Sequence, residues 1–296
     1  MIAALKRMPT EGFSRMTSPV PTGQDIRNRP VVVAVASGKG GVGKTHVSVN
    51  LSVALAKSGK RVMLFDADLG LANAGVMLGR PAGRTVRDAL RDGVPLTEIV
   101  QPGPAGIGLV SGGSGDASLA VIEDDVLDGF CREFRVFEDN LDYLVIDTAA
   151  GIAPNVTSLV EKSDFAVVVL TDEPASFIDA YGLLKALAQR GRCRDVLVVT
   201  NMVPNALAGR RLFARFKQVA SNFLDINLEH LGSIPHDNHV HSAAMRKRCL
   251  VEAYPLSAAG QAFNTLALDI AKRTRTEILA VPNTAFFGEE RDARAG

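Results

Sequence analysis

From Val31 onward, short runs of apolar and mostly β-branched residues alternate with longer stretches in which apolar positions recur every three or four residues. The short runs are Val31 to Ala36, Arg61 to Phe65, Ile107 to Val110, Tyr143 to Ile146, Phe165 to Leu170, Val196 to Thr200 and Leu231 to Ile234. They do not alternate apolar with polar, so they fit strands covered on both faces, joined by right-handed helical crossovers. The pattern predicts an α/β fold with a doubly wound, mostly parallel sheet and helices on both faces. Ala175 to Arg190 places Ile178, Tyr181, Leu184 and Leu187 on one helical face, between Pro174 and Gly191. Pro255 to Arg273 does the same with Phe263, Leu266, Ala267, Ile270 and Ala271, and ends in a basic cluster suited to a helix C-terminus. Gln101 to Gly115, rich in Gly and Pro, reads as a wrap around one short strand. Residues 1–29 read as a flexible extension, 30–275 as one folded domain and 276–296 as a tail.

Composition narrows the class. With 47% hydrophobic and 22% charged residues, neither disorder nor a fibrous repeat is expected. The apolar runs fall far short of the roughly 20 residues that span a bilayer. Lys6 and Arg7 follow only a short apolar start, the wrong order for a secretory leader, so a cytoplasmic location is expected. The 33 basic residues nearly balance 32 acidic ones, so no global field draws the chain to nucleic acid, and nucleic acid is not an expected partner. Cys131, Cys193 and Cys249 are widely spaced, unlike metal sites or redox dithiols, and read as reduced thiols.

The strongest chemical signal follows the first run. Gly38-Lys39-Gly40-Gly41-Val42-Gly43-Lys44-Thr45 fits G-x-x-x-x-G-K-[ST], and a helix-compatible stretch runs on from His46 to Lys57. Such a loop turns its backbone N–H groups inward and, with the positive end of the helix dipole, cradles phosphate oxygens. Lys44 is placed to reach β/γ-phosphates and the Thr45 hydroxyl to ligate magnesium. The alternative is a glycine turn with a surface lysine. Lys39 is a second lysine inside the loop, unusual in a tight turn unless it meets negative charge. Two further runs end in aspartate, at Asp66-Ala67-Asp68 and at Asp147, where open parallel sheets bind ligands; helix capping is the alternative role.

With these motifs the chain resembles the MinD/ParA family of deviant Walker A P-loop ATPases, over about residues 31 to 273. Within it, Asp66-Ala67-Asp68-Leu69-Gly70-Leu71-Ala72-Asn73, Asp147-Thr148-Ala149-Ala150-Gly151-Ile152 and Glu173 to Tyr181 are most similar to the flagellar number and placement regulators, the FlhG or FleN type. The resemblance implies ATP and magnesium as ligands and a homodimer formed with ATP, in which Lys39 reaches the partner's nucleotide. It implies slow, partner-stimulated hydrolysis in which Lys39, Lys44 and Asp68 act on the reaction, Asp68 by orienting water. It gives magnesium to Thr45 and Asp147, with Asp66 supporting that shell. It gives the nucleotide to Gly38, Lys39, Gly40, Gly41, Val42, Gly43, Lys44, Thr45 and His46, with Asn201 on adenine and the turn through Pro235 and Asp237 closing over the base. The partners it implies are a flagellar GTPase or a transcription activator, with peripheral contact at the inner face of the membrane.

The chain departs from the family pattern at His46, where a small polar residue or Asn is usual. Gly23-Gln24-Asp25-Ile26-Arg27 stands where the flagellar regulators carry an Asp-Gln-Ala motif. The basic C-terminal membrane helix is poorly matched by Thr276 to Gly296, which Pro282 interrupts and in which Glu277, Glu289, Glu290 and Asp292 outnumber Arg291 and Arg294. His236, His239 and His241 lack a cysteine or carboxylate pair to complete a metal site. Two basic faces, Arg210, Arg211, Arg215 and Lys217, and Arg246, Lys247 and Arg248, read first as solvated surfaces. Division-site or cargo positioning and a nucleotide-gated anti-activator remain alternatives; iron–sulfur carriage is disfavoured for want of paired cysteines.

Overall fold

The computed structural model describes residues 29–80, 83–113, 122–190, 195–273 and 286–287. Its strands are β1 (Val31–Ala36), β2 (Val62–Ala67), β3 (Gln101–Pro102), β4 (Gly108–Ser111), β5 (Tyr143–Thr148), β6 (Phe165–Leu170), β7 (Asp195–Val203) and β8 (Asn227–Pro235). They form one sheet in the order β3-β4-β2-β5-β1-β6-β7-β8. Every neighbouring pair is parallel except β3 with β4. β1 and β6 coincide with the predicted runs, whereas β2, β5, β7 and β8 extend beyond their apolar residues into the polar ones that build the site. β3, a two-residue antiparallel edge, carries no apolar pattern and was not expected.

The helices are α1 (Lys44–Lys57), α2 (Ala74–Met77), α3 (Val86–Asp92), α4 (Leu96–Ile99), α5 (Asp124–Glu133), α6 (Pro154–Glu161), α7 (Pro174–Arg190), α8 (Ala206–Ser221), α9 (Asn238–Met245), α10 (Leu250–Ala253) and α11 (Ala258–Lys272). α11 begins later than its apolar period implies because the Ser257 side chain caps it, accepting from Gly260 N–H at 3.1 Å. The two faces of the sheet are covered differently. Val31, Val33 and Val35 pack with α1, α10 and α11, while Val32, Ala34 and Ala36 point to the side covered by α3 to α8. That two-sided burial is why the strands are continuously apolar. It also orients the acids: Asp66 and Asp147 follow Val62, Leu64, Tyr143 and Val145, all on the α1 face, and so project toward α1.

Three residues outside the expected domain bounds, Arg29, Phe286 and Phe287, contact the folded body. Arg29 donates to Asp164 at 2.9 Å, and the same carboxylate accepts Val32 N–H, so this ion pair pins the start of β1. Phe286 and Phe287 are 0% and 2% exposed. They join Phe65, Phe130 and Phe134 in an aromatic cluster, with 5.5 Å between the Phe134 and Phe286 centroids. Arg135 donates to the Phe287 carbonyl. Residues 23–27 and the charged residues of the tail lie outside the described residues, and among those described no helix is long and apolar enough to cross a membrane.

Candidate nucleotide site

The phosphate loop leaves the buried end of β1 and enters α1 at Gly43, whose φ of 86° is the left-handed conformation that glycine adopts without strain. A Cβ there would lie 2.4 Å from Asn201 Nδ2. Asn201, on β7, donates from that nitrogen to the Val42 carbonyl at 2.8 Å. On the other side, a Cβ on Gly38 would meet the Asp179 carbonyl of α7 at 2.0 Å. The loop is therefore clasped between β7 and α7, while Gly40 and Gly41 face solvent. Asn201 reaches the loop backbone, a role beyond the adenine contact implied by resemblance. Gly151 N–H also donates to the Ser37 carbonyl at 2.9 Å, tying the segment after β5 to the same loop.

Beneath the loop lies an acidic pair, because Asp66 and Asp147 are register partners on neighbouring strands. Asp147 Oδ1 accepts from Lys44 Nζ at 3.0 Å and from Ser48 Oγ at 2.9 Å. Its Oδ2 is buried with no partner among the described residues. Asp66 Oδ1 accepts Asp68 N–H at 3.3 Å and its Oδ2 accepts Ala74 N–H at 2.9 Å. Asp66 therefore shapes the loop after β2, and both its oxygens are engaged. Thr45 stands half-buried in the first turn of α1. An orphaned carboxylate oxygen at the strand end that faces the start of α1 fits magnesium, which keeps several waters and takes one or two carboxylates.

Burial first, and the Asp147 charge second, push the Asp66 carboxyl from 3.8 up to about 7, against the opposing backbone bonds and Lys44. The neighbour effects have definite signs. A carboxyl-selective NMR titration should place Asp66 near 7; Asp147→Asn should lower that midpoint and Lys44→Met should raise it. A midpoint unmoved by either change would contradict the electrostatic account. Because the folded group holds its proton more tightly than the unfolded one, Asp66 withdraws stability as pH rises from 3.8 toward about 7. His46 and His230, both lowered from 6.5 chiefly by burial, withdraw stability as pH falls below 6.5 and so oppose it.

Asp68 is half-buried at the loop rim and accepts Leu71 N–H at 3.2 Å. Lys39 points away from this pocket. Its ammonium, 37% exposed, bonds Glu173 Oε2 at 2.9 Å, and Ser37 Oγ donates to its carbonyl at 2.9 Å. At the base-side turn, Pro235 pairs with Val203 at the end of β7. Asp237 holds this turn in shape. Its carboxylate caps α9 through His239 N–H at 2.9 Å and accepts Ala259 N–H at 3.0 Å. Burial acts to raise its pKa, but these bonds outweigh it and hold the carboxyl well below the usual range. Both oxygens are thus engaged in fixing the turn, which makes Asp237 a positioning residue. Sequence reading missed Ser48 and Glu173. Ser48 lies one helical turn after Lys44 and was legible by spacing; Glu173 required knowing that α7 starts beside the loop.

A family model described as ParA, NUBPL iron-transfer P-loop NTPase, matches residues 28–271. The chain belongs to the ParA/MinD family of P-loop NTPases. ATPase activity is general to this family. Among curated relatives, the ParA/MinD-family chain is 43% identical over 236 residues to the antiactivator FleN of Pseudomonas aeruginosa, covering 80% of this chain and 84% of FleN. It is 32% identical over 260 residues to the flagellum site-determining protein YlxH of Helicobacter pylori, covering 87% of each. Among solved structures, MinD of Aquifex aeolicus matches with a TM-score of 0.68 at 26% identity, over 82% of this chain and 98% of that one. MinD of Pyrococcus horikoshii, solved with Mg-ADP, matches with 0.66 at 25% identity, over 86% and 98%.

Proposed function

We propose that this chain is an ATP-dependent dimerisation switch with slow ATP hydrolysis that regulates the number and placement of flagella. The observation that carries the switch is the separation of its two loop lysines. Lys44 is 8% exposed and held on Asp147 inside the pocket, whereas Lys39 sits on the rim with Glu173. A rim lysine is within reach of a second copy. Leu71, Ile152 and Ile178, 68%, 58% and 68% exposed, stand on the segments that follow Asp68, Asp147 and Glu173 and give a second copy an apolar surface to cover. The flagellar output is supported by the similarity to FleN and YlxH.

In this reading the loop N–H groups and Lys44 bind the β/γ-phosphates, the Thr45 hydroxyl and Asp147 hold magnesium, and Asp68 orients the attacking water. Bound magnesium supplies neutralising charge to the phosphate oxygens. Asp66 keeps the Asp68 loop in place through its two backbone bonds. Asn201 and the turn through Pro235 and Asp237 wall the base side. Lys39 exchanges Glu173 for the partner's phosphate. An exposed ion pair contributes about 0–1 kcal/mol, and a hydrogen bond to a charged group about 1.5–3 kcal/mol, so the exchange favours the dimer. Two such exchanges and the covered apolar rim together approach the about 5.5 kcal/mol that reverses a 1:99 equilibrium.

Light scattering with ATP and magnesium should show a dimer for Asp68→Ala and a monomer for Lys39→Ala. Glu173→Gln should dimerise at lower protein concentration than the natural sequence, because Lys39 is no longer held. Equal masses for Asp68→Ala and Lys39→Ala would overturn the trans-lysine reading. In cells, altered flagellar number with normal septa distinguishes this output from division-site positioning. Among the described residues, Cys131 and Cys249 do not form a ligand pair for an iron–sulfur cluster. Cys131 and Cys249 are buried in different core clusters and pushed by burial up to about 12 and about 11. Cys193 lies outside the described residues.

A further inference from the structure

We propose that α9 is a strut between the base-side turn and the loop that carries Asp68, with Gly79 and Lys247 as positioning residues at its far end, so that cleavage of a bound triphosphate depends on whether a base is attached to it. The inference rests on the nucleotide site proposed above and adds a link between two of its walls. α2 and α9 end alike. Arg80 N–H bonds the Gly75 carbonyl at 2.9 Å and Gly79 N–H the Val76 carbonyl at 3.1 Å. Arg248 N–H bonds the Ala243 carbonyl at 3.1 Å and Lys247 N–H the Ala244 carbonyl at 2.9 Å. Both are the helix-ending motif with one left-handed residue, Gly79 at φ 64° and Lys247 at φ 52°.

The two caps pack against each other. A Cβ on Gly79 would lie 3.0 Å from Lys247 Cβ and 3.2 Å from the Lys247 carbonyl oxygen. Gly79 therefore answers both to its conformation and to its neighbour. Lys247 does not: glycine suits that left-handed position better, but it would remove the Cβ against which the α2 cap rests. Each helix reaches the site at its other end. α2 starts at Ala74, whose N–H is held by Asp66, and Asp66 also holds Asp68 N–H. α9 starts at the cap formed by Asp237 in the base-side turn, and its eight residues span about 12 Å. Leu78, before the first cap, and Ala243, in α9, lie buried in one core cluster. Close-packed neighbours do not shift independently, so a displacement at Asp237 is passed to Gly79. Part of the binding energy of a base seated on the turn then goes into placing Asp68, as with remote substrate groups whose loss lowers the maximal rate and not affinity alone.

Single-turnover cleavage at saturating concentration, measured on the full chain with magnesium for ATP and for inorganic tripolyphosphate, tests the link. The natural sequence should cleave ATP about tenfold faster. Gly79→Ala drives the caps apart and should bring the ATP rate down to the tripolyphosphate rate. Lys247→Gly should lower the ATP rate about threefold while melting no lower than the natural sequence, since it relieves the left-handed position. Lys247→Asn keeps both the cap and the Cβ and should restore the ATP rate. Should Gly79→Ala fail to fold, the Lys247 pair decides. ATP affinity by calorimetry should change by no more than about twofold in any variant. Equal natural rates for the two compounds, including no cleavage of either, would overturn the proposal. So would variants that slow both compounds alike, which is what loosening the loop alone would do, or that lose affinity with the rate unmoved. ATP binding with equal rates sinks the strut and leaves the nucleotide site standing; absence of ATP binding removes both.

Discussion

Replacing Lys44 with methionine is expected to lower the melting temperature of the nucleotide-free protein by roughly 10 °C and to abolish its stabilisation by ATP. The side chain is 8% exposed, and its ammonium is one of two donors on Asp147, which is 0% exposed beside Asp66. Removing the cation leaves two buried carboxylates with Ser48 and backbone donors alone. Breaking such a pair from one side costs about 3–5 kcal/mol, because the remaining charge stays desolvated. Asp147→Asn should be milder for the fold, since an amide oxygen can still accept from Lys44 and Ser48. Differential scanning fluorimetry with and without ATP separates the two effects. A Lys44→Met protein that melts like the natural sequence would show that the buried pair does not hold the loop.

Phe286→Ala is expected to destabilise the protein by about 3–5 kcal/mol. The ring is 0% exposed and meets Phe134 and Phe287, so its loss opens a cavity in an aromatic cluster that cannot readily collapse. The urea midpoint should fall with little change in slope. Phe223→Ala is the control: at 75% exposure it should stay within about 0.5 kcal/mol. A midpoint unmoved by Phe286→Ala would mean that the aromatic pair does not hold the tail to the domain.

The sheet was legible because strands buried on both faces must be continuously apolar, as Val31 to Ala36 and Phe165 to Leu170 are. β3 was not, because two residues held by backbone bonds alone leave no side-chain pattern. The phosphate loop was legible because its glycines, lysine and threonine lie contiguous between a strand and a helix. Contacts across the fold were hidden. The Lys39–Glu173 pair spans the sequence from the loop to α7, and only the packing of Gly38 on Asp179 brings those segments together. Asp237 was visible as a residue, but whether its carboxylate faces a ligand or a helix start depends on α11 folding back to present Ala259 N–H. Phe286 and Phe287 sit in a segment whose charges and Pro282 read as a docked or loose tail, with nothing to choose between the two. Their adjacency was the one local sign of an anchor.

Isothermal titration of ATP with magnesium into the full chain tests most directly whether the loop from Gly38 to Thr45 grips a triphosphate. The expected result is saturable binding at one site per chain in the natural sequence and none in Lys44→Met. Absence of heat in the natural sequence, or equal binding by both proteins, would contradict it.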